Sequence, residues 1–432
     1  MYYRSMSIDL QNVQKAHFVG ISGIGMSALA QLFLGQGKVV TGSTNEKTII
    51  TDMLEKKECQ IFFGHGEGNI ANDVDVVVYT RAIPDNNPEL IEAKKKGIPL
   101  FSYPEMLGIV SSDMYTIAVS GTHGKTTTTA MTADILVDGG LNPTTIVGSV
   151  LRRNNSNFIK GDSKYFLVEA CEHLRSFLNL QPNILIITNI QADHLDYYKD
   201  LSDVQSAFKE LADKVPLDGY VVCNPQSNTV APILENVQAT IIDYTKQKEV
   251  SLKIPGEHNR ENAQGALSVA DILGIDESDA QKSLESFLGT WRRFEYKGEL
   301  KNSTLLFDDY AHHPDEIRAT ISGFREKYPE KKLWIVFQSH MFSRTKDFIE
   351  GFQRELAKAD RVFVVPIFPA REKDDGTISH NDIIGKNKNI EACDSFEEVV
   401  GKIKGEVGED TIICTMGAGD VYKVGNLLLA VD

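Results

Sequence analysis

The stretch GTHGKT, residues 121–126, follows an apolar segment typical of a strand and precedes a helical pattern. A glycine turn in that position presents main-chain amides and a helix N-terminus to an anion. Lys125 is placed to reach the β- and γ-phosphates of ATP, and the Thr126 hydroxyl to ligate Mg²⁺. The turn is shorter than G-x-x-x-x-G-K-[ST], because Val119 stands where the first glycine would fall. The predicted ATP-binding residues are Gly121, Thr122, His123, Gly124, Lys125, Thr126 and Thr127.

An acid and a histidine follow two further predicted strands. Glu169 ends the strand YFLVE, and His194 comes shortly after the strand ILIITNI. Because the carboxyl ends of parallel strands share one edge of a sheet, both residues are expected near Lys125. Mg²⁺ prefers carboxylate and phosphate oxygens, which suits Glu169, and His194 is a softer ligand. The alternative to the loop as a nucleotide site is a plain connecting turn, and these residues count against it. The predicted metal ligands are Thr126, Glu169 and His194.

A second glycine loop lies near the N-terminus, in GISGIGMSA. Gly23, Gly25 and Ala28 match G-x-G-x-x-[GA] between a predicted strand and helix, a pattern that can indicate a dinucleotide dehydrogenase. That interpretation needs an acid at the end of the second strand, where VVTGST offers only Thr44. A pyrophosphate at the helix N-terminus still fits, so a nucleotide diphosphate other than NAD is favoured. The residues predicted to bind it are Gly23, Ile24, Gly25, Met26 and Ser27.

Further polar clusters follow downstream. Asn259 and Asn262 lie three residues apart at a predicted helix start, where N-capping by Asn259 is the alternative to binding. Arg293 lies in WRRFEY, and arginine is the preferred bidentate partner of phosphate and carboxylate. The stretch FDDYAHHPDEI ends one apolar strand and FQSHMFSRTK ends the next. These stretches are too polar and compact for a core, and they contain Asp309, His312 and Arg344.

The elements that must hold these residues alternate between strand and helix. The alternation occurs in three successive segments, which predicts an α/β protein of three domains with largely parallel sheets. The predicted domains are residues 1–112, 113–295 and 296–432. In such sheets functional residues gather at the carboxyl ends of strands, where the clusters above fall.

Bulk composition restricts the class of protein. Hydrophobic residues make up 42% of the 432-residue chain and charged residues 24%, as in globular domains. The net charge of −15 argues against a nucleic-acid surface. Five scattered cysteines without a C-x-x-C pair predict reduced thiols in a cytoplasmic protein. Neither a signal peptide nor a membrane-inserted segment is expected.

Taken together, the motifs resemble the Mur ligases, ATP-dependent amide-forming enzymes that build the peptide stem of the cell wall. GTHGKTTTT, VEACE, TNIQADHLD, EHNRENA, RRFE, DDYAHHPDEI and GAGD occur in the family's order along essentially the whole chain. SGIGMSALA, EACE and YAHHP most resemble the branch that joins L-alanine to UDP-N-acetylmuramate. The resemblance implies the use of ATP and Mg²⁺, together with these two small-molecule substrates, by a monomer or homodimer.

The resemblance also implies folds and residue roles. A Rossmann-like N-terminal domain would bind the UDP-sugar, a central P-loop-type ATPase domain would bind ATP and metal, and a Rossmann-like C-terminal domain would bind the amino acid and part of the nucleotide. Lys125 and His194 would be catalytic, together with Arg293, His312 and Arg344. The adenine side of the ATP site would be formed by Asn259 and Asn262. Its phosphate side, where the domains would close, would be lined by Arg293, Asp309 and His312.

Four positions depart from the family pattern. Thr44 and Arg81 differ in the expected UDP domain, and Met341 stands where the family usually has arginine. Lys209 lies near the position of a carbamylated metal-binding lysine in related ligases, although an ordinary exposed helix lysine is favoured. A sister ligase for a recycled tripeptide and an inactive UDP-sugar-binding regulator remain the alternative functions.

Overall fold

The chain forms three β-sheets with helices on their faces. The computed structural model describes residues 8–195, 197–301, 303–370 and 372–430. The predicted domains 1–112 and 296–432 therefore begin or end in residues outside the described ones. Within the described part of the chain, no helix is both long and apolar enough to cross a membrane.

The first sheet has five strands in the order β3-β2-β1-β4-β5, all parallel. Its strands are β1 (Lys15–Val19), β2 (Val39–Thr44), β3 (Gln60–Phe63), β4 (Val76–Tyr79) and β5 (Leu100–Ser102). Its helices are α1 (Ile24–Gly35), α2 (Ile49–Glu55), α3 (Pro88–Lys95) and α4 (Tyr103–Ser111), with a 3₁₀ turn at Glu67–Asn69. The strand order reverses beside β1, so the glycine loop after β1 lies where ligands bind such sheets.

The second sheet has seven strands in the order β12-β11-β10-β6-β9-β7-β8. Its strands are β6 (Tyr115–Ser120), β7 (Thr144–Leu151), β8 (Ser156–Ile159), β9 (Tyr165–Glu169), β10 (Ile184–Ile187), β11 (Tyr220–Cys223) and β12 (Thr240–Asp243). The helices of this part of the chain are α5 (Lys125–Asp138), α6 (Leu201–Ala212), α7 (Glu257–Ile272) and α8 (Glu277–Ser286), with 3₁₀ segments at His173–Asn179, Ala231–Leu234 and Tyr244–Lys246. Only β8, among the described strands of this sheet, runs antiparallel to its neighbour.

The third sheet has six strands in the order β13-β14-β18-β15-β16-β17. Its strands are β13 (Glu295–Glu299), β14 (Leu305–Asp309), β15 (Lys332–His340), β16 (Arg361–Phe368), β17 (Ile390–Ala392) and β18 (Thr411–Met416). Its helices are α9 (Pro314–Lys327), α10 (Phe342–Asp347), α11 (Ile349–Leu356), α12 (Phe396–Glu406) and α13 (Tyr422–Ala430), with a 3₁₀ turn at His380–Ile383. Edge strand β13 is antiparallel to β14 and the other described pairings are parallel.

Central strands of all three sheets are buried on both faces, which explains why their sequences are continuous apolar runs. The α/β class and the three largely parallel sheets predicted from the sequence are thus confirmed. The antiparallel strands β8 and β13 were not predicted. By compactness the chain divides into two units. The first contains the described residues up to Ser251 together with Glu261–Ser286, and the second contains Leu252–Arg260 and Phe287 onward.

Candidate nucleotide and substrate site

The loop between β6 and α5 adopts a conformation that requires glycine. Gly121 has φ +138° and Gly124 has φ +85°, the region that L-residues with a side chain rarely adopt. A Cβ atom at Gly121 would lie 1.9 Å from Thr188 Oγ1, and one at Gly124 would lie 2.4 Å from Asn262 Oδ1. The main chain therefore lies close to its neighbours on two sides, as an anion-binding loop requires.

Residues that follow β10 hold this loop in place. The His123 amide donates to Asn189 Oδ1 at 3.0 Å, and Thr188 Oγ1 donates to the His123 carbonyl at 2.6 Å. The Gln191 amide donates to Thr122 Oγ1 at 2.8 Å. The loop is thus fixed by side-chain and main-chain bonds before any ligand binds.

Lys125, the first residue of α5, folds back onto its own loop. Its Nζ donates to the carbonyls of Gly121 at 2.5 Å and Thr122 at 2.9 Å, and to Glu172 Oε1 at 3.0 Å. Burial acts to lower the pKa of Lys125, but the negative charges of Glu172, Cys171 and Glu169, together with the hydrogen bond to Glu172, outweigh it and raise the pKa to about 12. Burial raises the pKa of Glu172, and Lys125 opposes that rise. We conclude that the lysine is charged and that the carboxylate is its counter-ion.

The structure brings Thr126 and Glu169 together. Thr126 Oγ1 donates to Glu169 Oε1 at 3.0 Å, and the Gly148 amide donates to Glu169 Oε2 at 2.8 Å. A Cβ at Gly148 would lie 2.5 Å from that carboxylate, so the strand β7 must approach it closely. A hydroxyl and a carboxylate side by side at a phosphate loop are the ligand types that Mg²⁺ prefers, so these residues fit the ion.

His194 lies beside Glu172, a residue outside the predicted set of metal ligands. Its Nε2 is 3.7 Å from Glu172 Oε1 and 3.9 Å from Asp193 Oδ2, and its ring is 4.6 Å from that of His173. The backbone of His194 has φ +53°, a strained value for a side-chain-bearing residue. The histidine is therefore held in a defined place beside the Lys125–Glu172 pair.

The N-terminal loop forms as expected, with its residues used in different ways. Gly23 is the N-cap of α1, so the amides of Ile24, Gly25 and Met26 have no acceptor within the helix. The Ser27 amide donates to the Gly23 carbonyl at 2.8 Å. Asn157 donates to its hydroxyl at 2.9 Å. Main-chain groups therefore carry any anion binding by this loop.

The two positions of the first sheet that depart from the family pattern are both bonded. Thr44 Oγ1 lies 2.7 Å from Ser22 Oγ within the glycine loop. Arg81 donates to the Leu174 carbonyl at 3.0 Å and to Ser176 Oγ at 3.3 Å. Arg81 thus connects the exit of β4 to the segment that follows Glu172.

The two asparagines of α7 are both buried. Asn262 Oδ1 accepts from Thr128 Oγ1 of α5 at 3.1 Å and lies against Gly124, so it belongs to the surroundings of the phosphate loop. Asn259 donates to the Pro255 carbonyl at 2.6 Å. Since α7 begins at Glu257, Asn259 is its third residue, and the alternative of N-capping is wrong.

In the second unit, Arg292 and Arg293 have different surroundings. Arg292 is buried, with its Nε 2.7 Å from Asp308 Oδ2 and its other nitrogens on the carbonyls of Gly417 and Gly419. Arg293 is partly exposed and lies over the Tyr310 ring. Arg292 therefore stabilises the fold, while Arg293 presents its charge to solvent.

Asp309 is buried beneath the turn that contains Arg293. Its Oδ2 accepts from the Phe294 amide at 2.7 Å, and its Oδ1 accepts from the Ala311 amide at 2.9 Å. Burial raises the pKa of Asp309, and Arg293 opposes the rise. The carboxylate thus ties together the two turns that present Arg293 and His312.

Glu316 lies beside both half-buried cationic candidates of this region, His312 and Arg293. His312 Nδ1 lies 3.1 Å from Glu316 Oε2, and Arg293 lies 3.9 Å from Glu316 Oε1.

Arg344 lies on the short helix α10, whose N-cap is Met341 with φ +68°. Lys209 on α6 pairs with Asp213 one turn later, as expected for an ordinary helix lysine.

Sequence reasoning missed several residues of these sites. Glu172 stands in VEACE, three residues after Glu169, and Glu316 stands in DDYAHHPDEI, four residues after His312, but their partners depend on the fold. Gly148 acts through its main chain and leaves no signal of residue type. Only Glu172 had an available signal, since a second acid so close to the phosphate loop needs a cation nearby.

The fold and the loop geometry define a nucleotide-dependent class of enzyme, and comparison with known sequences specifies it. Three family models match: the Mur ligase family catalytic domain over residues 15–115, the Mur ligase middle domain over residues 119–251, and the Mur ligase glutamate ligase domain over residues 292–419. The chain belongs to the Mur ligase family, as the sequence motifs predicted. ATP use is a property of this family.

Particular relatives are similar over their whole length. The chain is 40% identical to a UDP-N-acetylmuramate–L-alanine ligase of Clostridium tetani, covering 98% of this chain and 100% of the relative. It is 39% identical to the same ligase of Clostridium acetobutylicum, and the match covers 98% of this chain and 100% of that relative. Among solved structures, the UDP-N-acetylmuramate–alanine ligase of Thermotoga maritima superposes with a TM-score of 0.83 at 29% identity, covering 96% of this chain and 98% of that one.

Proposed function

We propose that this protein joins L-alanine to the lactyl carboxylate of UDP-N-acetylmuramate, producing UDP-N-acetylmuramoyl-L-alanine, ADP and phosphate. The observation that carries the proposal is the full-length 40% identity to ligases of that name, together with an intact Lys125, Thr126 and Glu169. The product is a precursor of peptidoglycan, so the enzyme serves cell-wall biogenesis, cell shape and cell division.

The chemistry needs a carboxylate to become an electrophile. A carboxylate oxygen of the sugar attacks the γ-phosphorus of ATP, ADP leaves, and an acyl phosphate remains. The alanine amine then attacks the acyl carbon, loses a proton, and expels phosphate as the amide forms. Phosphoryl transfer of this kind depends mostly on positioning and on neutralising charge. The loop Gly121–Gly124 supplies rigid amides for this, and Lys125 supplies the cation.

Mg²⁺ is the proposed cofactor of the reaction. Thr126, Glu169 and His194 are the residues that would hold it. When bound, the ion would neutralise charge on the phosphate oxygens during transfer. Asn262 borders the phosphate loop at Gly124, and its proposed role near the adenine rests on the family resemblance.

Residues of the second unit have proposed roles that rest on the family resemblance. Arg293 would neutralise phosphate charge, His312 would line the same phosphate side, and Arg344 would act on substrate carboxylates. Asp309 supports the Arg293 turn through main-chain bonds. Asn259 would complete the adenine site. The amides of Ile24, Gly25 and Met26 would contact the UDP pyrophosphate, with Gly23 as the N-cap of the helix and Ser27 holding the helix start.

Domain limits, location and assembly are also proposals. We place the UDP-sugar domain in residues 1–112, the ATP domain in residues 113–295, and the amino-acid and nucleotide domain in residues 296–432. The substrates are metabolites of the cytoplasm, where we place the enzyme, as a monomer or homodimer without nucleic-acid or membrane partners.

Phosphate release with an amino-acid panel tests the function. Release should need ATP, Mg²⁺, UDP-N-acetylmuramate and L-alanine together, and the product mass should correspond to one added alanine. L-alanine should compete out the tripeptide L-Ala-γ-D-Glu-meso-diaminopimelate. Preference for the tripeptide would assign the sister ligase, and nucleotide binding without any turnover would assign an inactive regulator.

A further inference from the structure

The ammonium of Lys125 has no donor left for a phosphate in the described conformation. An ammonium has three N–H donors. Here they are directed to the Gly121 carbonyl, the Thr122 carbonyl and the carboxylate of Glu172. Both oxygens of Glu172 lie 3.0 Å from Nζ. To contact a phosphate, the lysine must give up at least one of these partners.

Glu172 is held in place from the main-chain side. Tyr198 Oη donates to the Glu172 carbonyl at 2.6 Å. The next two residues after His173, Leu174 and Arg175, have φ +53° and +54°, a costly arrangement that persists only where the surroundings impose it. Arg175 bonds Asp203 at 2.7 Å. The segment therefore fixes Glu172 independently of the ion pair with Lys125.

The side chain of Glu172 is buried, with 3% of its surface exposed, and the side chain of Lys125 is 14% exposed. A buried charge is retained only where it is paired, and pairing inside the protein is stronger than at the surface. Glu172 therefore has two effects on Lys125. It orients the ammonium, and it competes with any phosphate for the same charge.

We infer that Glu172 is a positioning residue that holds the Lys125 ammonium at the phosphate loop. When ATP binds, Glu172 releases the ammonium, which then contacts the nucleotide. The inference rests on the proposed use of ATP. It predicts that affinity and turnover respond in opposite directions when the carboxylate charge is removed. A residue that only supported the fold would lower both.

The test compares Glu172→Gln with the wild-type protein. Binding of a non-hydrolysable ATP analogue, measured by calorimetry without sugar or alanine, should tighten by about threefold to tenfold, because a charge-assisted bond no longer competes for the lysine. The kcat for phosphate release should fall by about tenfold to a hundredfold, because the lysine is no longer oriented. Equal losses in binding and kcat, or no change in either, would overturn the inference.

Three further variants separate the carboxylate from its surroundings. Glu172→Asp keeps the charge, so its analogue affinity should stay within about twofold of wild type. Tyr198→Phe removes the bond to the Glu172 carbonyl and keeps the carboxylate, and it should also bind normally. Glu355→Gln alters a buried, ion-paired glutamate of α11 and should change neither quantity.

If Glu172→Gln does not fold, Glu172→Asp is the deciding variant. An altered affinity of Glu172→Asp for the ATP analogue, with an unchanged kcat, would overturn the inference. If Tyr198→Phe reproduces the Gln pattern, the segment and not the carboxylate controls the lysine, and the inference is wrong. A wild-type protein that binds the analogue but releases no phosphate with L-alanine would disprove the proposed function alone. The binding measurements would still test Glu172.

Discussion

At the phosphate loop, some residues act on the ligand and other residues hold the first group in place. For Lys125→Ala we expect kcat/KM to fall by about a hundredfold to a thousandfold, since one preorganised cation is lost. The variant also leaves Glu172 buried without its cation, which costs about 3 kcal/mol of unfolding free energy. Steady-state kinetics and urea unfolding measure the two effects.

The double variant Lys125→Ala/Glu172→Gln provides the control. It removes both charges, so it should recover most of the stability lost by Lys125→Ala and none of the activity. Near-normal activity in either variant would contradict the assignment of Lys125. If Lys125→Ala is as stable as the wild-type protein, the buried ion pair between Lys125 and Glu172 is contradicted.

Glu89 in α3 is buried at the centre of a polar cluster in the first sheet. Burial acts to raise its pKa, but the imidazole of His17 3.7 Å away and hydrogen bonds with Ser43, Asn69 and His65 outweigh it and lower the pKa from 4.5 to about 2. A lowered folded-state pKa contributes stability above pH 4.5 that is lost as the pH falls towards 2. The contribution at neutral pH is about 3 kcal/mol.

We therefore expect Glu89→Gln to be less stable than wild type at pH 7 by about that amount, with the difference shrinking as the pH falls from about 5 to 3. Urea midpoints at a series of pH values measure it. A difference that stays constant across the series would show that packing, and not the charge, accounts for the loss.

At the scale of elements, glycines in two settings should respond oppositely to alanine. Gly121→Ala places a Cβ 1.9 Å from Thr188 Oγ1 at φ +138°, so it should abolish ATP binding and lower stability. Gly401 lies inside α12, with φ outside the positive region and no atom within 4 Å of an added Cβ. Gly401→Ala should therefore stabilise the protein by up to about 1 kcal/mol. Thermal midpoints and analogue calorimetry compare the two, and a harmless Gly121→Ala would remove the argument for a tight loop.

At the scale of the whole molecule, the sequence predicted the α/β class, the three sheets and the family, because these depend on local periodicity and on motifs at strand ends. It did not predict β8 or β13, which pair antiparallel at sheet edges and have no helix between themselves and their neighbours. It could place Lys125, but not the Lys125–Glu172 pair or the Glu169 bond to Gly148. Those contacts arise from segments about 20 to 50 residues apart, whose meeting is fixed by strand order.

The same limit applies to how the first two sheets are joined. Gln31 of α1 donates to Asn157 Oδ1 of β8 at 2.7 Å, and Asn157 donates to Ser27 Oγ at 2.9 Å. Gln31 and Asn157 are buried, so the bonds have no water to replace them. The network links the first sheet's helix to the second sheet's antiparallel edge, which agrees with the two sheets forming one compact unit.

Asn157→Ala should therefore destabilise the first unit by about 2–4 kcal/mol, because each buried polar group left unpaired costs about 1–3 kcal/mol. Both tryptophans of the chain, Trp291 and Trp334, belong to the second unit, so tryptophan fluorescence reports that unit while far-UV circular dichroism reports both. We expect the dichroism midpoint in urea to fall and the fluorescence midpoint to stay. Gln238→Ala, at an exposed amide of the first unit, should change neither. If the fluorescence midpoint falls equally, the two units unfold as one, and the network stabilises the whole chain rather than the first unit alone.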